Sequence, residues 1–157
     1  MLILEKNMLT EEIEKLAEKY GNNRASLMPI LQAIQAKYNY ISDHSQQEIA
    51  RVLDIHPVEV FGVISFYAFH HSEPQGRNIV RLCKTICCEH AGKDIVERAI
   101  EREIGVKFGE TTKDQKVTLE FTSCLGMCDQ GPAMMVNSQV YTKLDPETAC
   151  EILSKIK

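Results

Sequence analysis

Apolar residues recur at intervals of three and four from residue 9 to residue 70, a spacing that predicts helices. Gly21–Asn23 ends the first helical segment, Ser45–Glu48 matches a capping box before the third, and Pro57 opens the fourth. The four stripes predicted to be buried are Ile13, Leu16, Ala17 and Tyr20; Leu27, Ile30, Leu31, Ile34 and Tyr38; Ile49, Val52 and Leu53; and Val60, Phe61, Ile64 and Tyr67. This half of the chain is therefore predicted to be a four-helix bundle.

The periodicity changes after the polar segment His70–Gly76, whose Pro and Gly predict a linker. Beyond it, Asn78–Cys83 is predicted to be a strand, and Val117–Thr122, which alternates between apolar and polar residues, is predicted to be a second strand. Residues 133–136 and 140–144 are typical of a hairpin that turns at Asn137 and Ser138. The second half should therefore contain a four-stranded sheet.

Two helices are predicted among these strands. The first spans Glu89–Ile104, and Asp145 is predicted to cap the second, which runs to about Ile156. The inner face of the first should carry Ala91, Ile95, Val96, Ala99, Ile100 and Ile104, and its outer face Lys93, Asp94, Glu97, Arg98 and Glu101. We expect an α+β protein with a helical domain at residues 1–72, a linker at 73–77 and an α/β domain at 78–157.

Composition and charge restrict the classes of partner. The 157 residues are 44% apolar and 25% charged, the net charge is −4, and no segment concentrates basic residues, which argues against nucleic acid. The longest mainly apolar stretch, Val60–Phe69, is far shorter than the roughly 20 residues of a membrane span. Met1–Leu4 has neither a basic lead-in nor a small-residue cleavage site, so we expect a cytoplasmic protein without a membrane partner.

Six cysteines lie in the second half: Cys83, Cys87, Cys88, Cys124, Cys128 and Cys150. In a reducing compartment such a cluster indicates a metal site or redox chemistry rather than structural disulfides. Cys83 and Cys88 enclose four residues, Cys124 and Cys128 enclose three, and each pair follows a predicted strand. Structural zinc often takes closer pairs, whereas four thiolates on loops also hold a [2Fe-2S] cluster. The spacing favours iron–sulfur and leaves zinc as the alternative.

The segment that starts at Cys124, CLGMCDQGPAMMVN, follows a C-x4-C pair that ends 36 positions upstream. Together they resemble the thioredoxin-like [2Fe-2S] subunit of NADH dehydrogenases, the 24 kDa or E subunit, which has relatives in NAD-linked hydrogenases and formate dehydrogenases. Residues 57–67, PVEVFGVISFY, are similar to the fourth helix of that family. The resemblance therefore covers nearly the whole chain.

The resemblance implies a thioredoxin-like domain whose [2Fe-2S] cluster is held by Cys83, Cys88, Cys124 and Cys128. It also implies an electron relay, and the chain shows no G-x-G-x-x-G or P-loop of its own. The implied partners are a flavoprotein that binds FMN and NAD(H), with the cluster close to the flavin, and a catalytic iron–sulfur subunit. The short chain resembles the small subunit of a soluble, electron-bifurcating [FeFe]-hydrogenase. The helical half is then expected to dock on the flavoprotein.

Residues beside the expected ligands are candidates for tuning the cluster. Lys84 is expected to raise its potential and Asp129 to lower it, although both also fit solvated loop charges. Met127 is a candidate for its apolar shell, although methionines beside a sheet are more often gap fillers. Cys87, Cys150 and His90 are expected not to bind iron: a cysteine buried in the last helix is inert by default, and His90 fits the first turn of a helix.

Two alternatives from other classes remain at this stage. The helices could include a DNA-reading helix-turn-helix, with a structural four-cysteine zinc site in a regulator. Residues 1–72 carry six basic and nine acidic side chains, however, and a net negative charge would repel phosphates. A thiol oxidoreductase using Cys87 and Cys88 is disfavoured, because that chemistry uses a C-x-x-C motif at a helix start.

Overall fold

The computed structural model describes residues 2–156, with side chains from residue 8 onward. Met1 and Lys157, the outer ends of the two predicted domains, lie outside the described residues. The chain divides into two compact units between Pro74 and Gln75. Each unit has its own core, and each is described by itself. Within the described residues, no helix is both long enough and apolar enough to cross a membrane.

Four α-helices make up the first unit, hereafter the helical unit. They are α1 (Leu2–Tyr20), α2 (Leu27–Tyr38), α3 (Asp43–Leu53) and α4 (Pro57–Phe66), with a 3-10 turn at Arg24–Ser26 before α2. Their inward faces, together with Ile41 from the connection between α2 and α3, form one core of Ile13, Ala17, Leu27, Ile30, Leu31, Ile34, Ile49, Ala50, Leu53, Val60 and Ile64. Burial of these stripes explains why the sequence pattern locates the helices.

Three details of the helical unit differ from the prediction. Tyr20 and Tyr38, predicted on the buried stripes of the first two helices, are exposed. The N-cap of α3 is Ser42, whose hydroxyl accepts from Ser45 N at 3.1 Å, so Ser45 is inside the helix rather than its cap. Phe61 and Tyr67 are exposed, although the sequence pattern predicts both on the buried stripe of α4. Because α4 is apolar on nearly every side, its sequence period does not single out the face that Val60 and Ile64 bury.

A four-stranded sheet organises the second unit, hereafter the sheet unit. Its strands are β1 (Asn78–Cys83), β2 (Val117–Thr122), β3 (Met134–Val136) and β4 (Gln139–Tyr141), in the order β2-β1-β3-β4. The β1 and β2 strands are parallel, with Leu82 opposite Phe121, whereas β3 is antiparallel to both β1 and β4. Parallel pairing of β1 and β2 brings their carboxyl ends to the same edge, where the cysteine loops begin.

Three helices complete the sheet unit: α5 (Ile86–His90), α6 (Lys93–Ile104) and α7 (Pro146–Ser154). The side chains of α6 and α7 join one face of the sheet in a core of Val80, Leu82, Val96, Ile100, Val117, Leu119, Met134, Val136, Leu144, Ala149 and Leu153. Asp145 caps α7, its carboxylate accepting from Thr148 N at 2.8 Å, as predicted. The mixed α+β architecture of the sequence prediction is confirmed.

The helix predicted over Glu89–Ile104 is wrong in one respect, because it is two helices. Gly92 has a φ of +95°, a left-handed conformation that glycine adopts without strain, and it separates α5 from α6. The break changes which side chains face inward: Lys93 is buried and Ile95 is 63% exposed, the reverse of the prediction. Burial of Lys93 is tolerated because its ammonium contacts carboxylates of Glu89, Asp94 and Glu97 at 2.8–3.2 Å.

Candidate metal centre

The two cysteine loops leave neighbouring parallel strands at the same end of the sheet. Cys83 is the last residue of β1 and lies opposite Thr122, the last residue of β2, two positions before Cys124. Lys84 N donates to the Thr122 carbonyl at 3.0 Å and ties the start of one loop to the start of the other. The two cysteine loops therefore start side by side, as the strand positions predict.

The first pair of thiols, Cys83 and Cys88, is buried. The two side chains are 1% and 2% exposed and form a small core with Ala133, against which Leu125 and Met127 pack. Cys83 N donates to the Ala133 carbonyl at 3.0 Å, which fixes the backbone at the end of β1. Cys88 faces inward from the short helix α5, which begins directly after Thr85.

Gly131 lets the backbone pass close to the buried pair. A Cβ atom added to this glycine would lie 3.4 Å from Cys88 Sγ and 3.3 Å from Ala91 Cβ. These separations are at the tight end of van der Waals contact, so a side chain would press on the Cys88 thiol. The glycine that follows the second cysteine pair thus belongs to the wall around Cys88.

The second pair of thiols, Cys124 and Cys128, is exposed. Their sulfur atoms lie 3.1 Å apart, and Gly126 N donates to Cys124 Sγ at 3.3 Å. Gly126 has a φ of +82°, which a glycine adopts readily and which allows the loop to turn back within five residues. Cys128 then begins a 3-10 turn that ends at Gln130.

The thiols of the two pairs differ in pKa because their surroundings differ. Burial raises the pKa of Cys83, but hydrogen bonds from Thr85, whose hydroxyl is 3.1 Å from the sulfur, outweigh burial and lower it overall. Burial and the neighbouring Cys83 raise the pKa of Cys88. The adjacent Cys124 raises the pKa of Cys128 to about 12. Two adjacent thiols resist joint ionisation, so a bound cation that displaces both protons would stabilise each pair.

The donor set fits an iron–sulfur cluster. Four cysteine sulfurs are offered as two close pairs, and thiolates alone are the usual ligands of [2Fe-2S] clusters. A structural zinc site closes one tetrahedron around one ion, whereas two separate pairs suit a group with two irons.

The other residues singled out in the sequence lie near the site to different degrees. Lys84 and Asp129 are exposed, and Met127 is partly buried against the core of Cys83, Cys88 and Ala133. His90 ends α5 rather than starting a helix. Half-buried Cys150 lies apart from the site in α7, with its thiol 3.8 Å from the Ala99 carbonyl.

Sequence reasoning missed two contributors. Thr85 contacts the Cys83 sulfur, and a hydroxyl residue immediately before a short helix was the available signal. Cys87 is exposed on α5, and its thiol contributes, after that of Cys124, to the raised pKa of Cys128. Adjacent residues of a helix point about 100° apart, so two neighbouring cysteines can face different sides of a site. The sequence alone does not say which of the two faces which side.

A cavity in another part of the sheet unit lies away from the cysteine loops. It measures about 610 Å³ and is lined by Ile104, Gly105, Val106, Thr112, Lys113, Asp114, Lys116 and Val117. Val117 is the first residue of β2, whereas the cysteine loops start at the carboxyl ends of β1 and β2. No cysteine lines this cavity, so volume does not indicate the site of the chemistry here.

Comparison with known proteins gives related sequences along most of the chain. The E subunit of the NADH-quinone oxidoreductase of Buchnera aphidicola is 38% identical over 145 residues, 92% of this chain and 90% of the relative. The E subunit of the Escherichia coli NADH-quinone oxidoreductase is 35% identical over 147 residues, 94% of this chain and 89% of the relative. The alpha subunit of the NAD-reducing hydrogenase HoxS of Cupriavidus necator is 32% identical over 149 residues, 95% of this chain but only 25% of the relative.

Solved structures and a family comparison agree on the fold. The NAD+-reducing [NiFe]-hydrogenase in its H2-reduced state matches with a TM-score of 0.70 and 23% identity over 80% of this chain and 22% of that chain. The sequence pattern of the thioredoxin-like [2Fe-2S] ferredoxins matches residues 13–157. The chain therefore belongs to the thioredoxin-like [2Fe-2S] ferredoxin family, and its cofactor is a [2Fe-2S] cluster.

Proposed function

We propose that this chain is the electron-relay subunit of a cytoplasmic, NAD(H)-linked oxidoreductase complex. The observation that carries the proposal is the convergence of two cysteine pairs at one edge of the sheet. A [2Fe-2S] cluster bound there supplies a one-electron carrier. The family membership does not support the alternative of a zinc-containing regulator.

The proposed ligands are Cys83, Cys88, Cys124 and Cys128. Cys88 is preferred to Cys87 because it is buried with Cys83 in one small core, whereas Cys87 is exposed. The buried pair shields one side of the site from water, and the exposed pair leaves the other side open. We place the entry and exit of electrons on the open side, where a docked partner can approach most closely.

The helical unit offers a surface for such a partner. On and just after α4, four large apolar side chains are exposed, by 71% at Val58, 55% at Phe61, 79% at Phe66 and 47% at Tyr67. A shallow groove of about 290 Å³ continues this surface beside Val58 and Phe61. Large apolar side chains exposed together on one short segment are typical of interaction sites. We name these four residues the α4 surface.

We propose that the α4 surface docks on a flavoprotein that binds FMN and NAD(H), with the cluster close to the flavin. Residues 1–72 would be the docking bundle and 73–77 the linker. The named relatives are subunits of NADH-quinone oxidoreductase and of an NAD-reducing hydrogenase. In the hydrogenase relative the matching region is a quarter of a longer polypeptide, which supports direct association with a large neighbour. We also propose that the complex contains a further catalytic iron–sulfur subunit and carries out electron bifurcation.

Metal analysis of the anaerobically purified full-length chain tests the cluster and its role. We expect two irons and two acid-labile sulfides per chain, and a spin-half EPR signal after one-electron reduction. One zinc without sulfide would refute the relay and return the zinc site to consideration.

Docking is tested separately with the variant Phe61→Ser/Phe66→Ser. Because both side chains are exposed, the variant should keep its fold and its cluster but lose co-purification with the flavoprotein. Ile95→Ser, which alters a 63% exposed side chain in the sheet unit, is the matched control and should co-purify normally. Equal loss in both variants, or in neither, would contradict a docking role for the α4 surface.

A further inference from the structure

The short helix α5 carries the proposed ligand Cys88 but contributes little packing of its own. Among the described side chains of α5, only Cys88 is buried, whereas Ile86 is 66% exposed. A helix of five residues is not stable by itself, so the orientation of α5 depends on contacts with the rest of the sheet unit. The direction in which the Cys88 side chain points is therefore set from outside α5.

The break between α5 and α6 does not fix this orientation by packing at the break itself. Gly92, which separates the two helices, has a φ of +95°. A Cβ atom added to this glycine would meet no heavy atom of the described residues within 4 Å. Contacts away from the glycine are therefore needed to hold α5 against its surroundings.

Lys93 makes an ion pair across this break. Its ammonium lies 3.2 Å from the Glu89 carboxylate on α5, and 3.0 Å and 2.8 Å from the carboxylates of Asp94 and Glu97 on α6. The same ammonium lies over the ring of Phe121 on β2, 5.3 Å from the ring centre. A cation in this position is attracted to the face of the ring. Lys93 thus connects α5, α6 and the strand that leads to the second cysteine loop.

We propose that Lys93 is a positioning residue for the cluster: through Glu89 it holds α5 so that Cys88 faces the buried side of the site. The inference rests on the ligand set proposed above, to which Cys88 belongs. Glu89 is the residue that follows Cys88 in the sequence, and its ion pair joins the two helices. The ion pair of Lys93 with Glu97, in contrast, lies within α6.

The size of the effect follows from the exposure of the pair. The Lys93 side chain is 9% exposed and the Glu89 side chain is 43% exposed, so water screens this ion pair in part. Without the pair, α5 should move more freely, and the Cys88 sulfur should leave iron more often. The expected consequence is faster release of iron from a chain that is still folded.

The test compares full-length, anaerobically purified variants with the wild-type chain. Iron release to a chelator is followed by the loss of visible cluster absorption, well below the temperature of unfolding. Glu89→Gln should release iron about two- to fivefold faster than wild type, as expected for one partly screened ion pair. Glu97→Gln makes the same change of charge within α6 and, as the matched control, should release iron at the wild-type rate. In a Lys93→Met background, Glu89→Gln should cause no further acceleration, because it acts through Lys93.

The EPR spectrum of the reduced cluster gives a second readout, which a change in global stability alone does not move. Its lines should broaden in Glu89→Gln and not in Glu97→Gln, because a less firmly held Cys88 gives the iron a wider range of surroundings. Equal release from the two variants, a wild-type rate in Glu89→Gln, or an undiminished effect of Glu89→Gln in the Lys93→Met background would each overturn the positioning role, while a wild-type cluster leaves the proposed function intact. A wild-type chain without iron and sulfide would overturn both.

Discussion

The helical unit and the sheet unit bury apolar side chains in the same way but leave different chemistry at their surfaces. Each has a continuous core, with Ile34 fully buried in one and Leu119 in the other. At its surface the helical unit exposes aromatic side chains, with Phe66 79% exposed, whereas the sheet unit exposes the sulfurs of Cys124 and Cys128. Under the proposed function, partner binding would belong to the helical unit and redox chemistry to the sheet unit, each of which has its own core.

This division predicts how each unit is stabilised. Each has between 70 and 85 residues, a size at which a single core supplies only roughly 3–5 kcal/mol. Ligands that bind only the folded state add stability by mass action. The cluster should therefore stabilise the sheet unit, and a docked partner the helical unit.

The same large-to-small change in the two cores should have unequal consequences for the cluster. Ile34→Ala and Leu119→Ala each remove a fully buried side chain and should lower the free energy of unfolding by about 2–5 kcal/mol. Only Leu119 lies on the strand that leads to Cys124, so only Leu119→Ala should also release the cluster at a lower temperature. Circular dichroism and the visible absorption of the cluster, followed together on heating, measure both effects. Equal release from the two variants would contradict independent units.

A second contrast concerns ion-pair networks. In the sheet unit, buried Lys93 holds the carboxylates of Glu89, Asp94 and Glu97. Because these carboxylates are partly solvated, Lys93→Met should lower the free energy of unfolding by about 1–2 kcal/mol, less than for a fully buried pair. In the helical unit, Arg51 is exposed, so Arg51→Met should lower the free energy of unfolding only slightly.

The effect of Lys93→Met should depend on pH. The Lys93 ammonium lowers the pKa of Asp94 in the folded chain. The contribution of this ion pair to the free energy of unfolding is therefore present above the pKa of an unfolded Asp, and it is lost as the pH falls through the pKa of Asp94 in the folded chain. Burial alone would lower the pKa of Lys93, but its three carboxylates outweigh burial and raise it, which extends the stabilisation to alkaline pH. The difference between wild type and variant in urea unfolding should be constant at neutral pH and shrink below about pH 4. A pH-independent difference would show that packing, rather than charge, holds Lys93.

The sequence predicts elements well where one period dominates and poorly where two signals compete. β1 and β2 have the predicted bounds because each apolar-rich run lies between polar residues. The break at Gly92 is not predicted, because the apolar period continues across it on both sides. The exposure of Phe61 is not predicted either, because a helix that is apolar on nearly every side does not reveal which face is covered.

The candidate site shows the same limit. Spacing and strand order were sufficient to bring the loops of Cys83 and Cys124 to one edge, since parallel strands end together. Spacing could not divide the thiols by burial, because that depends on the orientation of α5 and on the approach of Gly131 to Cys88. The contribution of Cys87 to the raised pKa of Cys128, which follows that of Cys124, likewise depends on three-dimensional packing.

The smallest expected effect tests whether charges in the cysteine loop tune the cluster. Lys84 is exposed in the loop between Cys83 and Cys88, and a positive charge favours the reduced, more negative cluster. Lys84→Glu should therefore lower the midpoint potential, by roughly 10–40 mV, because solvent and salt screen an exposed charge. Lys15→Glu makes the same charge reversal at an exposed site in the helical unit and is the matched control. In a redox titration followed by EPR at low and high salt, the shift should appear only in Lys84→Glu and diminish as salt rises. Equal shifts in both variants would show that net charge, rather than the position of Lys84 in the ligand loop, sets the potential.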